Sequence, residues 1–133
     1  MNKEFVPYEI ALELEKIGFD EPFITFDTQY LYRNGDFCRS NSGAITMFKS
    51  FNDELVIAPL YQQAFRWFRE KHNINGHFWD SSISSSGAWC FTVTKLEINM
   101  HKSSFICEKC RYKTPEEAEL ACLKKLIEIA KLK

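Results

Sequence analysis

The sequence predicts an α+β protein, an antiparallel sheet with three helices packed mainly on one face. Apolar residues recur at helical spacing near the start, the middle and the end of the chain. The strand-like segments between them are spaced too closely for parallel crossover connections. Hydrophobic residues make up 45% of the 133 residues and charged residues 26%, as in globular proteins, and no linker divides the chain. We therefore expect residues 1–133 to form a single domain.

The first predicted helix covers residues 7–17, where apolar side chains recur at helical spacing. Pro7 suits the first helical position, because the N–H that proline lacks would have no partner there. Gly18 suits the left-handed position just beyond a helix end, and Phe19 can then pack back onto Leu14. These residues predict both ends of the helix.

The second predicted helix covers residues 59–71 and again begins at a proline. Arg66 and Arg69 lie three positions apart on its polar side, which we expect to face solvent, a ligand or another subunit. The opposite side is a wide apolar face made of Leu60, Tyr61, Ala64, Phe65, Trp67 and Phe68.

The third predicted helix follows the capping-box sequence Thr114-Pro115-Glu116-Glu117. The Thr114 hydroxyl is expected to cap the third helical amide, and the Glu117 carboxylate to accept a hydrogen bond from the Thr114 amide. Acidic residues precede lysines along the helix, which suits the helix dipole. Its apolar stripe consists of Ala118, Ala121, Cys122, Leu126 and Ile129.

Strands are predicted between the helices from short alternating segments. Asn34-Gly35 is typical of a hairpin turn, and the serine-rich segment 84–87 links a long antiparallel pair. The predicted strands cover residues 23–27, 30–33, 44–48, 54–57, 77–83, 89–97 and 105–112.

The chain start and the cysteines predict a cytoplasmic protein. The amino-terminal residues lack the apolar segment of a signal peptide, and no apolar run approaches the roughly 20 residues that cross a bilayer, so no membrane partner is expected. Five cysteines, an odd number, are then expected to be free thiols. Cys107 and Cys110 have the spacing of half a zinc site, but no other cysteine or histidine follows at a recognised ligand spacing. Neither a metal nor another cofactor is expected.

The charge distribution argues against nucleic acid as a partner. The net charge of the chain is -1, whereas nucleic-acid-binding domains usually carry a basic excess. Residues 95–133 carry nine basic and six acidic side chains, a net charge of +3. The acidic first turn of the third helix has the wrong sign for the phosphate contacts of double-stranded RNA-binding domains.

Three segments carry a resemblance to a known group of proteins. They are FVPYEIALELEKIGFDEP at residues 5–22, APLYQQAFRWFREK at 58–71 and EEAELACLKKLI at 116–127. Together they resemble a family of small uncharacterised proteins encoded in bacteriophage and prophage genomes. The resemblance implies a phage origin and a setting in the bacterial host cytosol, and it carries over no activity and no catalytic residue.

The candidate ligand site is predicted from aromatic and basic residues that helix packing leaves unexplained. Trp79 and Trp89 flank the serine-rich link, so in a hairpin their indoles would lie near each other and could stack on a base. The competing interpretation is that both rings simply cover the sheet. Basic and polar residues elsewhere offer contacts to phosphate or hydroxyl groups. The expected ligand-binding residues are Arg39, Asn41, Arg66, Arg69, Trp79, Ser81 and Trp89.

No set of nucleophile, base and orienting group is visible, so we expect no enzyme. The expected function is that of a phage accessory protein that binds a small ligand, a nucleotide-type defence signal of the host, in a pocket between protomers of a homo-oligomer. The alternative is a protein-binding module that docks and inhibits a host factor through an exposed aromatic patch. A metal-binding protein that uses Cys107 and Cys110 is the third hypothesis.

Overall fold

The chain folds into two compact units, Met1–Gln63 and Ala64–Lys133. The α+β class is confirmed, since the described residues form three helices and two antiparallel sheets, one sheet in each unit where the sequence predicted a single sheet. The expectation of a single domain stays a prediction. The computed structural model describes residues 4–21, 24–25, 28–41, 53–81, 88–97 and 102–132.

The sheet of the first unit is built around β2 (Thr28–Arg33). β3 (Asp36–Asn41) pairs along one edge of β2 through a turn in which Asn34 and Gly35 both have positive φ, 52° and 91°. β1 (Ile24–Thr25) and β4 (Leu55–Ile57) pair with the other edge at its two ends. The hairpin turn and the strands at 23–27, 30–33 and 54–57 are thereby confirmed within the described residues, and β3 is an additional strand. The strand predicted at 44–48 lies outside the described residues.

Helix α1 (Tyr8–Lys16) begins one residue later and ends one residue earlier than predicted, and Gly18 takes the predicted left-handed position beyond its end. Pro7 is the N-cap and not the first helical residue, and its carbonyl accepts hydrogen bonds from the Ile10 and Ala11 amides. At the other end Gly18 has φ 99° and the Phe19 amide donates to the Leu14 carbonyl at 3.0 Å, which is the Schellman geometry.

Helix α2 (Tyr61–Lys71) begins two residues later than predicted, and the boundary between the units falls within it. Pro59 does not start the helix, because its carbonyl accepts a hydrogen bond from the Val6 amide at 2.9 Å and Leu60 forms a β-bridge with Phe5. The predicted apolar face is confirmed from Tyr61 onward. Its buried residues are Tyr61, Ala64, Phe65, Trp67 and Phe68.

The second unit contains a sheet in the order β5 (Ile74–Asp80), β6 (Trp89–Glu97) and β7 (Lys102–Tyr112). The predicted bounds of β6 are confirmed, whereas β5 and β7 each begin three residues earlier than predicted. The segment 82–87 between β5 and β6 lies outside the described residues.

Helix α3 (Pro115–Lys131) packs on this sheet against β5 and β6. The Thr114 hydroxyl accepts a hydrogen bond from the Glu117 amide at 3.2 Å, which confirms the N-cap. The second half of the predicted capping box is wrong: the Glu117 carboxylate accepts from the amide of Lys113, at 3.1 Å, and not from that of Thr114. Among the helices of the described residues, none is long and apolar enough to cross a membrane.

Candidate ligand-binding groove

The predicted ligand residues are divided between the two units. Arg39 and Asn41 belong to β3 of the first unit, where they pair in register with Tyr30 and Thr28. Arg39 is exposed. The remaining predicted residues belong to the second unit.

Trp79 and Trp89 lie close in register but on opposite faces of the β5–β6 hairpin. Trp79 pairs with Cys90, and Trp89 pairs with Asp80. Paired residues share a face and successive residues alternate, so the two indoles point away from each other. The Trp79 indole N–H donates to the Thr92 hydroxyl at 3.0 Å, and Trp89 packs on Phe78 with the ring centroids 6.2 Å apart. The two rings therefore cannot stack together on one ligand.

Ser81 closes the β5–β6 link. It is 3% exposed, its amide donates to the Ala88 carbonyl at 3.0 Å, and its hydroxyl accepts from the Ala88 amide at 3.1 Å and donates to the Ala88 carbonyl. These contacts give Ser81 a structural role in the hairpin. Arg66 and Arg69 are both exposed, on the polar side of α2.

The expectation of five free thiols is wrong for two cysteines, because Cys90 and Cys110 form a disulfide. Cys107 pairs with Val93 while Cys110 pairs with Cys90, so residues 107 and 110 point to opposite faces of β7. An i, i+3 pair on a strand therefore does not form half of a zinc site. The described residues contain no group of three or more metal-ligating side chains. Burial raises the pKa of the Cys122 thiol to about 12, so this side chain stays protonated.

A groove of about 450 Å³ lies within the second unit, between the end of β7 and one side of α3. The groove is open to solvent, and none of the residues predicted for ligand binding lines it. The sheet contributes Phe91, Lys109, Arg111 and Tyr112, and the helix contributes Glu117, Leu120, Ala121, Lys124, Lys125 and Glu128.

The groove is electropositive although the whole chain is slightly negative. Its lining includes four cationic and two carboxylate side chains, a net charge of +2, against -1 for the chain. Lys125 pairs with Glu128 at 3.3 Å, and the Glu117 carboxylate accepts from the Lys113 amide. Within the described part of the chain, no carboxylate lies at ion-pair distance from Lys109, Arg111 or Lys124.

Aromatic side chains form one wall of the groove. Phe91 is 2% exposed, and its ring centroid lies 5.9 Å from that of Tyr112. The Tyr112 ring is half-buried, and the guanidinium carbon of Arg111 lies 5.7 Å from its centroid. The arrangement places a partly accessible ring beside a cation, which suits a ligand that carries both a planar group and a negative charge.

Trp89 is the one residue predicted for ligand binding that pairs with a residue of this groove, because its strand partner is Tyr112. The sequence signal that could have located the groove is the net charge of +3 on residues 95–133, which carry all four of its cations. The aromatic excess pointed instead to rings on the neighbouring hairpin.

Comparison of the chain with protein-family models, with curated proteins and with solved structures gives no match.

Proposed function

We propose that the protein is a non-enzymatic binding protein for a small anionic ligand of the nucleotide class, and that the groove between β7 and α3 holds this ligand. The observation that carries the proposal is the cluster of Lys109, Arg111 and Lys124 around the accessible Tyr112 ring. These cations have no carboxylate partner among the described residues, so they are available to an anion.

The charge of the groove supports a phosphate-bearing ligand. Arg111 offers a planar guanidinium that matches phosphate oxygens in bidentate geometry, and Lys109 and Lys124 add point charges. Hydrogen bonds to charged groups are each worth about 1.5–3 kcal/mol. The net charge of the chain is near zero, so the attraction is local to the groove and not a property of the whole surface.

The size and the aromatic wall support a ligand that also carries a base. A volume of about 450 Å³ falls within the usual range for small-molecule sites. Stacking of a base on an aromatic ring contributes about 1–3 kcal/mol, and Tyr112 is the accessible ring. The carboxylates of Glu117 and Glu128 add acceptors for amino or hydroxyl groups.

The resemblance to phage and prophage proteins supplies the setting. A phage protein that binds a nucleotide without converting it would lower the free concentration of a host defence signal. We propose this sequestering role in the bacterial cytosol, with a homo-oligomer as the active form.

The proposal is tested by isothermal titration of the full chain with inorganic phosphate, nucleosides, nucleoside monophosphates and cyclic dinucleotides. Phosphate-bearing nucleotides are expected to bind, and to bind more tightly than phosphate or nucleoside alone. Lys124→Gln and Tyr112→Leu are each expected to weaken binding about tenfold or more. Lys71→Gln is the matched control, because Lys71 is an exposed lysine of α2 outside the groove.

Equal loss of binding in Lys71→Gln would indicate a non-specific charge effect and contradict the site. Absence of binding by every nucleotide would overturn the function. Trp89→Ala tests the contribution of the hairpin. Nucleotide binding should weaken because Trp89 is the strand partner of Tyr112, while the helical circular dichroism should stay unchanged.

The protein-binding module is a second candidate, and the exposure of two adjacent apolar residues on β7 favours it. Phe105 is 65% exposed and Ile106 is 37% exposed. Adjacent exposed apolar side chains are common at sites of protein contact. If a host factor docks here, Phe105→Lys should abolish its capture from host lysate and leave nucleotide titrations unchanged.

A further inference from the structure

A β-bulge on β7 explains how two consecutive residues line the groove. Lys109 pairs with Phe91 and Cys110 with Cys90, but the next pair is Trp89 with Tyr112, so Arg111 has no partner on β6. Successive residues of a regular strand point to opposite faces. The extra residue of the bulge allows Arg111 and Tyr112 to face the groove together.

The Cys90–Cys110 disulfide lies directly beside this bulge. Cys110 is the residue between Lys109 and Arg111, and its bond to Cys90 ties β7 to β6 at the point where the bulge interrupts the ladder. Cys90 is 0% exposed, whereas Cys110 is exposed. Cys110 is therefore the exposed residue of the disulfide, from which a reductant would approach, and Cys90 is the buried one.

We propose that the Cys90–Cys110 disulfide is a redox latch that holds Arg111 and Tyr112 in their ligand-binding positions. This inference rests on the proposed function, because it concerns the affinity of the same groove. The oxidised protein is the high-affinity form, and reduction lowers the affinity.

The reductant is a dithiol. Its first thiolate attacks the Cys110 sulfur, so that a mixed disulfide forms, the bond to Cys90 breaks and Cys90 leaves as a thiolate that takes up a proton. The second thiol of the reductant then attacks the mixed disulfide and releases Cys110. Two electrons and two protons pass to the protein, and the dithiol becomes a disulfide.

Reduction removes the covalent tie beside the bulge and leaves the backbone of residues 110–112 held by the interrupted ladder alone. The bulge can then relax toward regular alternation, in which Arg111 and Tyr112 point to opposite faces. In that arrangement the groove loses either Arg111 or Tyr112 from the three β7 side chains that line it. We expect the affinity to fall about tenfold, the change that corresponds to one charge-assisted hydrogen bond.

The test titrates the full chain with ATP and with a cyclic dinucleotide, once oxidised and once after treatment with dithiothreitol. Alkylation and mass spectrometry follow Cys90 and Cys110, and hydrogen exchange follows the amides of residues 109–112. Reduction should make both cysteines alkylatable, speed exchange at residues 111 and 112, and weaken binding about tenfold. Cys110→Ser should bind the ligand as weakly as the reduced protein does, and dithiothreitol should not change its affinity. Cys107→Ser changes a free thiol of the same strand, and its affinity should still fall when dithiothreitol is added.

The outcomes separate the two proposals. Equal affinity of the oxidised and reduced forms, or unchanged exchange at residues 111 and 112, would overturn the latch and leave the binding function intact. Alkylation of both Cys90 and Cys110 without reductant would also overturn it. Absence of binding in both redox states would overturn the binding function, and the latch with it.

Discussion

Asp53 ties the β2–β3 turn to the start of β4. Its carboxylate accepts hydrogen bonds from the Asn34 side-chain amide at 3.0 Å and from the Arg33 guanidinium at 2.7 Å. The Asn34 side-chain oxygen Oδ1 in turn accepts from the Glu54 backbone amide at 2.9 Å. The hydrogen bond from Asn34, followed by that from Arg33, lowers the pKa of Asp53 because both stabilise the charged form.

The lowered pKa of Asp53 predicts a defined acid response. The folded pKa lies below the unfolded value of about 3.9, so the carboxylate stabilises the fold above that pH, and this stabilisation is lost as the pH falls through the folded pKa. Asp53→Asn should therefore lower the unfolding free energy at neutral pH and reduce its decline between about pH 5 and pH 2.

Urea unfolding at a series of pH values checks this prediction, with Asp36→Asn as the control. Asp36 is an exposed carboxylate of the same hairpin. Identical pH dependence of Asp53→Asn and the unmodified protein would show that the Asp53 contacts contribute nothing to acid stability.

At the scale of elements, Gly76 of β5 allows α3 to approach the sheet closely. A methyl group added at Gly76 would lie 2.7 Å from the Cys122 sulfur and 3.0 Å from a Leu126 methyl carbon. Cys122 and Leu126 are both fully buried on α3, so neither can move aside freely. The glycine is needed here for its lack of a side chain.

Gly76→Ala is therefore expected to destabilise the protein by about 1–3 kcal/mol through overpacking. Cys122→Ala removes the sulfur that the new methyl group would meet, so the double variant should be less destabilised than the sum of the two single variants, by at least ~0.5 kcal/mol. Urea unfolding of all four proteins measures the coupling. The control combines Gly76→Ala with Cys38→Ala, since Cys38 lies in the other unit, and the two losses of unfolding free energy should then add. Additive losses for Gly76→Ala and Cys122→Ala would contradict the packing argument.

Short sequence motifs predicted the helix ends correctly where the hydrogen bonds that fix those ends join residues close in sequence. The end of α1 needed only Gly18 and Phe19, and the N-cap of α3 needed only Thr114, because each motif bonds residues a few positions apart. Pro59 carried the same start signal as a helix proline, but pairing with residues 5–6 overrode it. β3 was not predicted because its own residues alternate weakly, although the Asn34-Gly35 turn signal implies a strand that follows it and pairs with β2.

At the scale of the whole molecule, the candidate site was the least predictable feature. Its residues come from two strands and one helix, and the bulge that presents Arg111 beside Tyr112 depends on the register of β6 against β7. Sequence spacing alone suggested that Trp79 and Trp89 share a surface, whereas a one-residue difference in register places them on opposite faces. The charge excess of residues 95–133 was the only sequence feature that pointed toward the groove.

The expectation that residues 1–133 form one domain leads to a prediction about cooperativity. Helix α2 is continuous across the boundary between the units and buries Tyr61 on one side of it and Trp67 and Phe68 on the other. The helical hydrogen bonds that cross residues 63 and 64 therefore belong to both units, and unfolding of one unit breaks them for the other. We expect urea to unfold both units in a single transition.

Two cysteines provide matched reporters in one sample, because Cys38 is the only cysteine of the first unit and Cys122 is buried in the second. Pulse alkylation read by peptide mass spectrometry should give the same urea midpoint for both. Tryptophan fluorescence reports on the second unit, which contains Trp67, Trp79 and Trp89, and it should give the same urea midpoint. Far-UV circular dichroism reports on both units and should give that midpoint too. A Cys38 midpoint clearly below that of Cys122, with a biphasic dichroism curve, would instead show that the units unfold separately, because a cooperative chain cannot open one unit while the other stays folded.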